Sequence, residues 1–295
     1  LPGLSALLSS EAHAPRSLLS GGGRARRSDA PGSLVVSSFR WSGLDRWTQL
    51  WWPQGIAIGQ HDGRPIAIVS WFSRVRRGRN RGAKITVVDL TTLRYHHVGL
   101  VEGEESAPVA VHAGGILWSG DRLLVAATHG GLREFHLSEI QLRKRRWVLP
   151  QFAHLQPVQK FRYSFLAEGT DGVVAGEYAK TDGGRLAHLT VVHGGAVSDG
   201  SAASVGSVSA TDIHSPGIPQ MQGALTVDGR WVVSSSRGDR RNGDLWVGKQ
   251  GALVKHEGAL PPGPEDLAWD RANSLLWGVT EHPGQRWVYS LELPR

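Results

Sequence analysis

The chain has 295 residues, long enough to bury one large core, and carries 33 Lys and Arg against 26 Asp and Glu for a formal net charge of +7. A basic balance points to anionic partners, although arginine far outnumbers lysine, a bias that a GC-rich genome also produces. Cysteine is absent, which excludes a disulfide framework and a thiolate metal site, and no stretch approaches the roughly 18 apolar residues of a membrane span.

Residues 1–32 read as a flexible basic leader. "LPGLSALLSSEAHA" ends in Ala12-x-Ala14, the pattern of a secretory cleavage site, which Pro15 opposes. The stretch Leu18 to Ser33 is Gly- and Arg-rich without periodicity. From Ser33 the signal changes to alternating or short apolar runs of Val, Ile, Leu and Trp broken by Gly, Asp and Asn, and residues 33–295 read as a single all-β domain. "LREFHLSEIQLRKRR" is the one candidate for helical periodicity, with strand and loop equally compatible.

Five stretches share one plan: "WPQGIAIGQHDGRPIAIVSW", "HAGGILWSGDRLLVAATHGG", "YSFLAEGTDGVVAGEYAK", "MQGALTVDGRWVVSSSRG" and "PEDLAWDRANSLLWGVTEHPG". Each opens on a polar residue near a small one, runs apolar, turns, and runs apolar again into a polar cluster. Further strand-like runs follow each, giving about four strands per unit at a spacing of roughly 45 to 60 residues, the signature of a β-propeller blade. Five four-stranded blades fit, with "SLVVSSF" (33–39) expected to supply the missing strand of the last one and close the ring. A β-sandwich pair is the alternative architecture.

Inner strands of a propeller start, and second strands end, on one face. Gln54, His112, Ser164, Gln222 and Glu265 are therefore expected to form an inner ring at that mouth. Ser70 to Ser73, His129, Glu177 with Tyr178, Ser236 with Arg237, and Glu281 with His282 form an outer ring.

The stretches "WWPQG", "HAGGILW", "GEY", "MQGA", "PEDL" and "TEHPGQRWVY" resemble a group of uncharacterised secreted five-bladed propellers of high-GC Gram-positive bacteria. That resemblance implies the fold and an extracytoplasmic location and brings no reaction with it. Gln54-Gly55 also resembles the inner-strand start of plant-type glutaminyl cyclases, but His112-Ala113-Gly114-Gly115 stands where that family favours an acidic residue beside glycine, so no catalytic residue carries over. Lactonase-type six-bladed propellers hold calcium in the channel; this chain counts one blade fewer.

Glu265, Glu177, Glu281 and His112 are the candidate catalytic residues. Carboxylates held across a pocket divide acid and base roles when their surroundings push their pKa values apart. Gln54, Gln222, His129, Tyr178, Arg237, His282 and Trp52 are the candidate ligand-binding residues. His112, Gln54, Gln222 and Glu265 also offer donors for a divalent cation in the channel, of unknown identity. "SRVRRGRNRG" (73–82) and "SRGDRRNG" (236–243) put arginines on the mouth face. Trp51, Trp52, Trp71 and Tyr178 offer rings for stacking. The expected ligand is small or polymeric, polar and anionic, glycan-like rather than nucleic acid, and the protein is expected to be a monomer. The competing readings are a non-catalytic binding or scaffold propeller and an aminoacyl (glutaminyl) cyclase-like enzyme. "GDLWVGK" matches the glycines and lysine of a phosphate loop but lacks its Ser/Thr and reads as a strand, and Arg237-Gly238-Asp239 is a tripeptide that an Arg/Gly-rich turn supplies by chance.

Overall fold

Apolar residues at alternate positions, interrupted by tight turns, fold here as up-and-down strands. The structure is a computed structural model and describes residues 1–10, 22–74, 81–103, 105–169, 172–193 and 204–294. The chain begins with helix α1 (Pro2–Ser9), strands β1 (Gly22–Arg24), β2 (Arg26–Arg27) and β3 (Val35–Arg40), and the short helix α2 (Gly43–Trp47). The first antiparallel meander is β4 (Trp51–His61), β5 (Arg64–Ser73), β6 (Ala83–Asp89) and β7 (Arg94–Glu102), with the two-residue β8 (Ala107–Pro108) folded back on β7. The second is β9 (Ile116–Ser119), β10 (Arg122–Ala126), β11 (Leu132–His136) and, after the hairpin strand β12 (Gln141–Arg143), the long β13 (Arg146–Pro157).

The third comprises β14 (Phe165–Gly169), β15 (Gly172–Gly176), β16 (Leu186–Val192) and β17 (Ser204–His214). The fourth comprises β18 (Met221–Val227), β19 (Arg230–Ser235), β20 (Asn242–Lys249) and β21 (Ala252–Pro262). The fifth has β22 (Pro264–Asp270), β23 (Leu275–Thr280) and β24 (Trp287–Glu292), and its fourth strand is β3, pairing Phe39 with Val288 and Ser37 with Ser290. The first strands pack in a closed circuit, β4 on β9, β14, β18, β22 and back to β4. This is a β-propeller, closed by the N-terminal strand at the place expected.

The two faces of each meander explain why its strands read as nearly continuous apolar runs. A sheet sandwiched between neighbours buries both faces. Ile66 and Ile68 of β5 join Ile116, Val125 and Phe135 in the core between the first and second meanders. Ala67, Val69 and Trp71 of the same strand join Trp41, Trp277 and Val279 in the core shared with the fifth. Three further cores fill the remaining interfaces, around Leu124 with Leu166, Phe165 with Val233, and Leu245 with Leu276. Asp62-Gly63 and Asp228-Gly229 take left-handed φ values of 49° and 71°, and 50° and 70°, as two-residue hairpin turns require.

Two features depart from expectation. The described part of the leader is packed: Leu4 and Leu7 of α1 are fully buried in the core between the first two meanders, β1 pairs with β7, and β2 pairs with β3. Pro2 in the first helical turn and Leu4, Leu7 and Leu8 at helical spacing give that segment an apolar face. The secretory pattern at Ala12 to Ala14 lies outside the described residues. The candidate helix "LREFHLSEIQLRKRR" is instead β11, a single 3-10 turn at Leu137–Glu139, and β12. No helix among the described residues is long and apolar enough to cross a membrane.

Because Leu7 is fully buried, Leu7→Ala is expected to lower the unfolding free energy by about 2–4 kcal/mol in a denaturant titration. An unstructured leader would leave the titration unchanged.

Candidate functional site

On the channel axis the inner strands come so close that "HAGG" must be small. A Cβ on Gly114 would collide with the Ser164 carbonyl of the next inner strand. The Ser70 hydroxyl clips the same place, donating to the Gly114 carbonyl at 2.8 Å and accepting from the Gly55 amide at 2.8 Å. Ser234 repeats the clip between the fourth and fifth meanders, donating to the Glu265 carbonyl at 2.9 Å. In the middle stands Asp266, 1% exposed. Its Oδ2 accepts the backbone amides of Ile116 at 3.1 Å and Ile56 at 3.4 Å, the amides of Leu267 and Leu166 lie nearby, and its Oδ1 is buried with no hydrogen-bond partner among the described residues. Burial pushes its pKa well above the usual carboxylate range, against the pull of those amides.

The backbone that holds Asp266 presents Glu265 one residue earlier, at the mouth. Glu265 is 4% exposed, and its Oε1 accepts from Gln222 Nε2 at 3.0 Å. Burial raises its pKa well above the ordinary value, and the neighbouring charges of Glu281 and Asp266 add to the rise. Glu281, from the end of β23, is less enclosed. Its Oε2 accepts from Gln54 Nε2 at 3.1 Å and its Oε1 lies 3.7 Å from His282 Nε2. Burial raises its pKa too, but His282, Gln54, Arg74 and Arg286 draw it back. Tyr178 feels both carboxylates: burial, then Glu265 and Glu281, hold its hydroxyl protonated. The Tyr289 hydroxyl, fully buried, is raised by burial and by Glu265.

Gln54, Gln222, Glu265, Glu281, His282 and Tyr178 are thus brought together as the repeat implied. Other expected residues stand elsewhere. Glu177 is locked in a two-pronged ion pair with Arg185, at 2.7 Å to each oxygen, and accepts the Arg162 amide at 2.9 Å. Despite burial, these partners pull its pKa below the ordinary value, which removes it as a proton donor. It lines an off-axis cleft of about 490 Å³ with His129, Phe161 and Arg162. His112 precedes β9 and is exposed, its ring tilted against Phe72 with ring centres 4.0 Å apart; partial desolvation lowers its pKa. Arg237 pairs with Glu257 at 2.6 Å and Asp244 at 3.6 Å. Trp51 and Trp71 are core residues, and the Trp52 ring is covered by the Arg74 guanidinium at 3.5 Å with His282 at its edge, so none offers a free stacking face.

Among the described residues no group of three His, Asp or Glu side chains is arranged to hold a metal ion. Arg76, Arg77 and Arg79 lie outside the described residues. Asp266, expected beside Glu265, is the axial acceptor; Arg74, from the 73–82 loop expected on the mouth face, covers Trp52; and Trp47 of α2, 58% exposed, adds itself beside the 281–286 turn. Trp47 leaves its own trace in sequence, as an aromatic outside the apolar alternation. "GDLWVGK" lies in β20, a strand as read.

A carboxyl group with a raised folded pKa holds its proton more tightly in the native state than in the unfolded chain, so it costs stability as pH rises above about 4 toward the folded value. Glu265→Gln removes that dependence. Its melting temperature is expected to gain steadily on the parent's between pH 4 and pH 8, and a constant difference across that range would contradict the assignment.

No protein family and no curated protein matches the sequence. Among solved structures, the chain is similar to a gluconolactonase from Xanthomonas campestris at 11% identity and a TM-score of 0.46, covering 92% of this chain and 98% of that one. It is similar to a glutaminyl cyclase from Myxococcus xanthus at 10% identity and a TM-score of 0.46, covering 92% and 100%. A GH43_1 enzyme from Xanthomonas citri follows at 11% identity and a TM-score of 0.45, covering 90% and 91%.

Proposed function

We propose that the chain is a five-bladed propeller that works outside the cytoplasm as a monomer and performs acid–base chemistry on a polar, glycan-like ligand bearing anionic groups at its mouth. The observation that carries this reading is the inequality of two neighbouring carboxyl groups. Glu265 is buried beside other acids, with an amide as its hydrogen-bond partner, and is the group that keeps its proton. Glu281 is served by Gln54, His282 and Arg74 and is the group that gives its proton up first. Two carboxyl groups whose surroundings separate them in this way supply a general acid and a general base. Gln54, Gln222 and Tyr178 offer hydrogen bonds to hydroxyl groups, and the exposed Arg74 offers a charge to a carboxylate or phosphate on the ligand. The extracytoplasmic placement rests on the resemblance of the quoted stretches to secreted propellers.

The test is a screen of neutral and acidic oligosaccharides by thermal shift, followed by turnover assays on those that bind. Glu265→Gln and Glu281→Gln are each expected to lower turnover by about 100-fold or more while affinity changes little. Unchanged turnover in both variants would remove the catalytic role, and binding without any turnover would establish a binding propeller instead.

A further inference from the structure

Away from the mouth, the leader strands and the turn between β6 and β7 border an open cleft of about 550 Å³ lined by the exposed Arg24, Arg26 and Arg27 and by Ser42, Thr91 and Thr92. Its charges are arranged against ordinary sheet practice. In the β1–β7 pair Arg24 stands directly opposite Arg94, and in the β2–β3 pair Arg26 stands directly opposite Arg40. Like charges directly across a ladder are destabilising. No carboxylate relieves them: among the described residues none of Arg24, Arg26, Arg27 or Arg94 has an ion-pair partner, and the nearby Asp89 is committed to the amides of Thr91 and Thr92 at 2.8 and 3.0 Å. Arg40 finds only the face of Trp287, 4.4 Å away, and its pKa is lowered by burial and by Arg46. The backbone beneath is nonetheless well pinned, with the Ala25 amide on the Leu93 carbonyl at 2.8 Å and Arg24 Nε on the Thr92 carbonyl at 3.2 Å.

We infer that this cleft binds a phosphate group, either as the free ion or as a small phosphomonoester. A phosphate dianion placed between Arg24, Arg26 and Arg27 converts the cross-strand repulsions into shared attraction, and guanidinium forks match its oxygens two at a time. The cleft exceeds what a bare ion needs, leaving room for an ester's carbon skeleton against Leu93 and Ala25. Because β1 and β2 belong to the leader while Thr91 and Thr92 belong to the first meander, the bound ion also staples the leader to the ring.

The test uses the full chain, titrated with inorganic phosphate and separately with glycerol 3-phosphate, against chloride at matched ionic strength. Either phosphate is expected to raise the melting temperature above the chloride control, and calorimetry is expected to show binding that Arg24→Ser/Arg26→Ser weakens by about tenfold or more. Arg27→Ser alone is expected to weaken it less, and Glu281→Gln at the mouth not at all. Binding of inorganic phosphate alone assigns the site to the free ion, and tighter binding of glycerol 3-phosphate assigns it to an ester. No gain over chloride, or full binding by the Arg24→Ser/Arg26→Ser variant, overturns the inference.

Discussion

The Asp266 carboxylate is the point to which the rest of the ring is referred. Backbone amides of the first and second meanders reach its Oδ2 directly, and those of the third and fifth lie nearby. Amide donors that meet across so many sheets cannot pair with one another, so an acceptor on the axis is required if they are not to be left buried and unpaired. The same acceptor limits how far the inner strands can separate, which makes glycine and serine necessary at Gly114 and Ser70. It also floors the channel, so that the residue before it, Glu265, stands at the inner limit of the mouth in a desolvated position. The chemistry proposed for Glu265 is therefore a consequence of how the ring is packed at its centre.

The interface between the fifth and first meanders carries more than its share of polar fastening. Arg286 is fully buried and donates to four backbone carbonyls: Glu281 at 2.8 Å, Asp45 at 2.7 Å, Thr48 at 2.9 Å and Trp51 at 2.8 Å. Burial pulls its pKa down to about 10, still far enough above neutrality to keep the charge. Beside it, Asp45 of α2 accepts from Tyr95 at 2.8 Å and meets His97 at 3.0 Å and Lys84 at 3.8 Å. Burial opposes its ionisation, yet His97 and Lys84 hold it well below the usual carboxylate range. Lys84, its pKa lowered to about 8 by burial, lies about 5 Å from the ring centres of Trp51 and Trp71. Breaking a pair of this kind on one side leaves an uncompensated buried charge, so the network fixes the path of residues 41–51 more than it adds net stability.

What was legible in the sequence follows the repeat. The unpaired apolar run at 33–39 and the three-strand remainder at the C-terminus together imply β3 on β24. Equivalent positions at the starts and ends of apolar runs bring Gln54, Gln222, Glu265 and Glu281 to one mouth. The repeat does not carry the pairings that side chains make. Glu177 follows its second strand as the repeat implies but is tied to Arg185 at an off-axis cleft, and Trp52 is covered by Arg74 just past the end of the facing strand. His112 misleads for a different reason: the close approach at Gly114 and Gly115 delays the start of β9 to Ile116, which leaves the histidine before the strand and over Phe72. Residues 1–32 read as a flexible leader, yet Leu4, Leu7 and Leu8 of α1 stand at helical spacing, and the ring buries Leu4 and Leu7.

The candidate site lies across the seam where the ring closes. Glu265, Glu281 and His282 come from the fifth meander, while Gln54, Trp52 and Arg74 come from the first, and the Gln54 to Glu281 hydrogen bond spans 227 residues of sequence. Both carboxyl groups belong to the fifth meander, where His282 and Arg286 already draw the pKa of Glu281 down, and Gln54 and Arg74 of the first meander add to that pull. Formation of the β3–β24 ladder and insertion of Arg286 into the carbonyls of residues 45–51 are what bring the two halves to contact. Closing the ring and completing the Gln54–Glu281 contact are then one event.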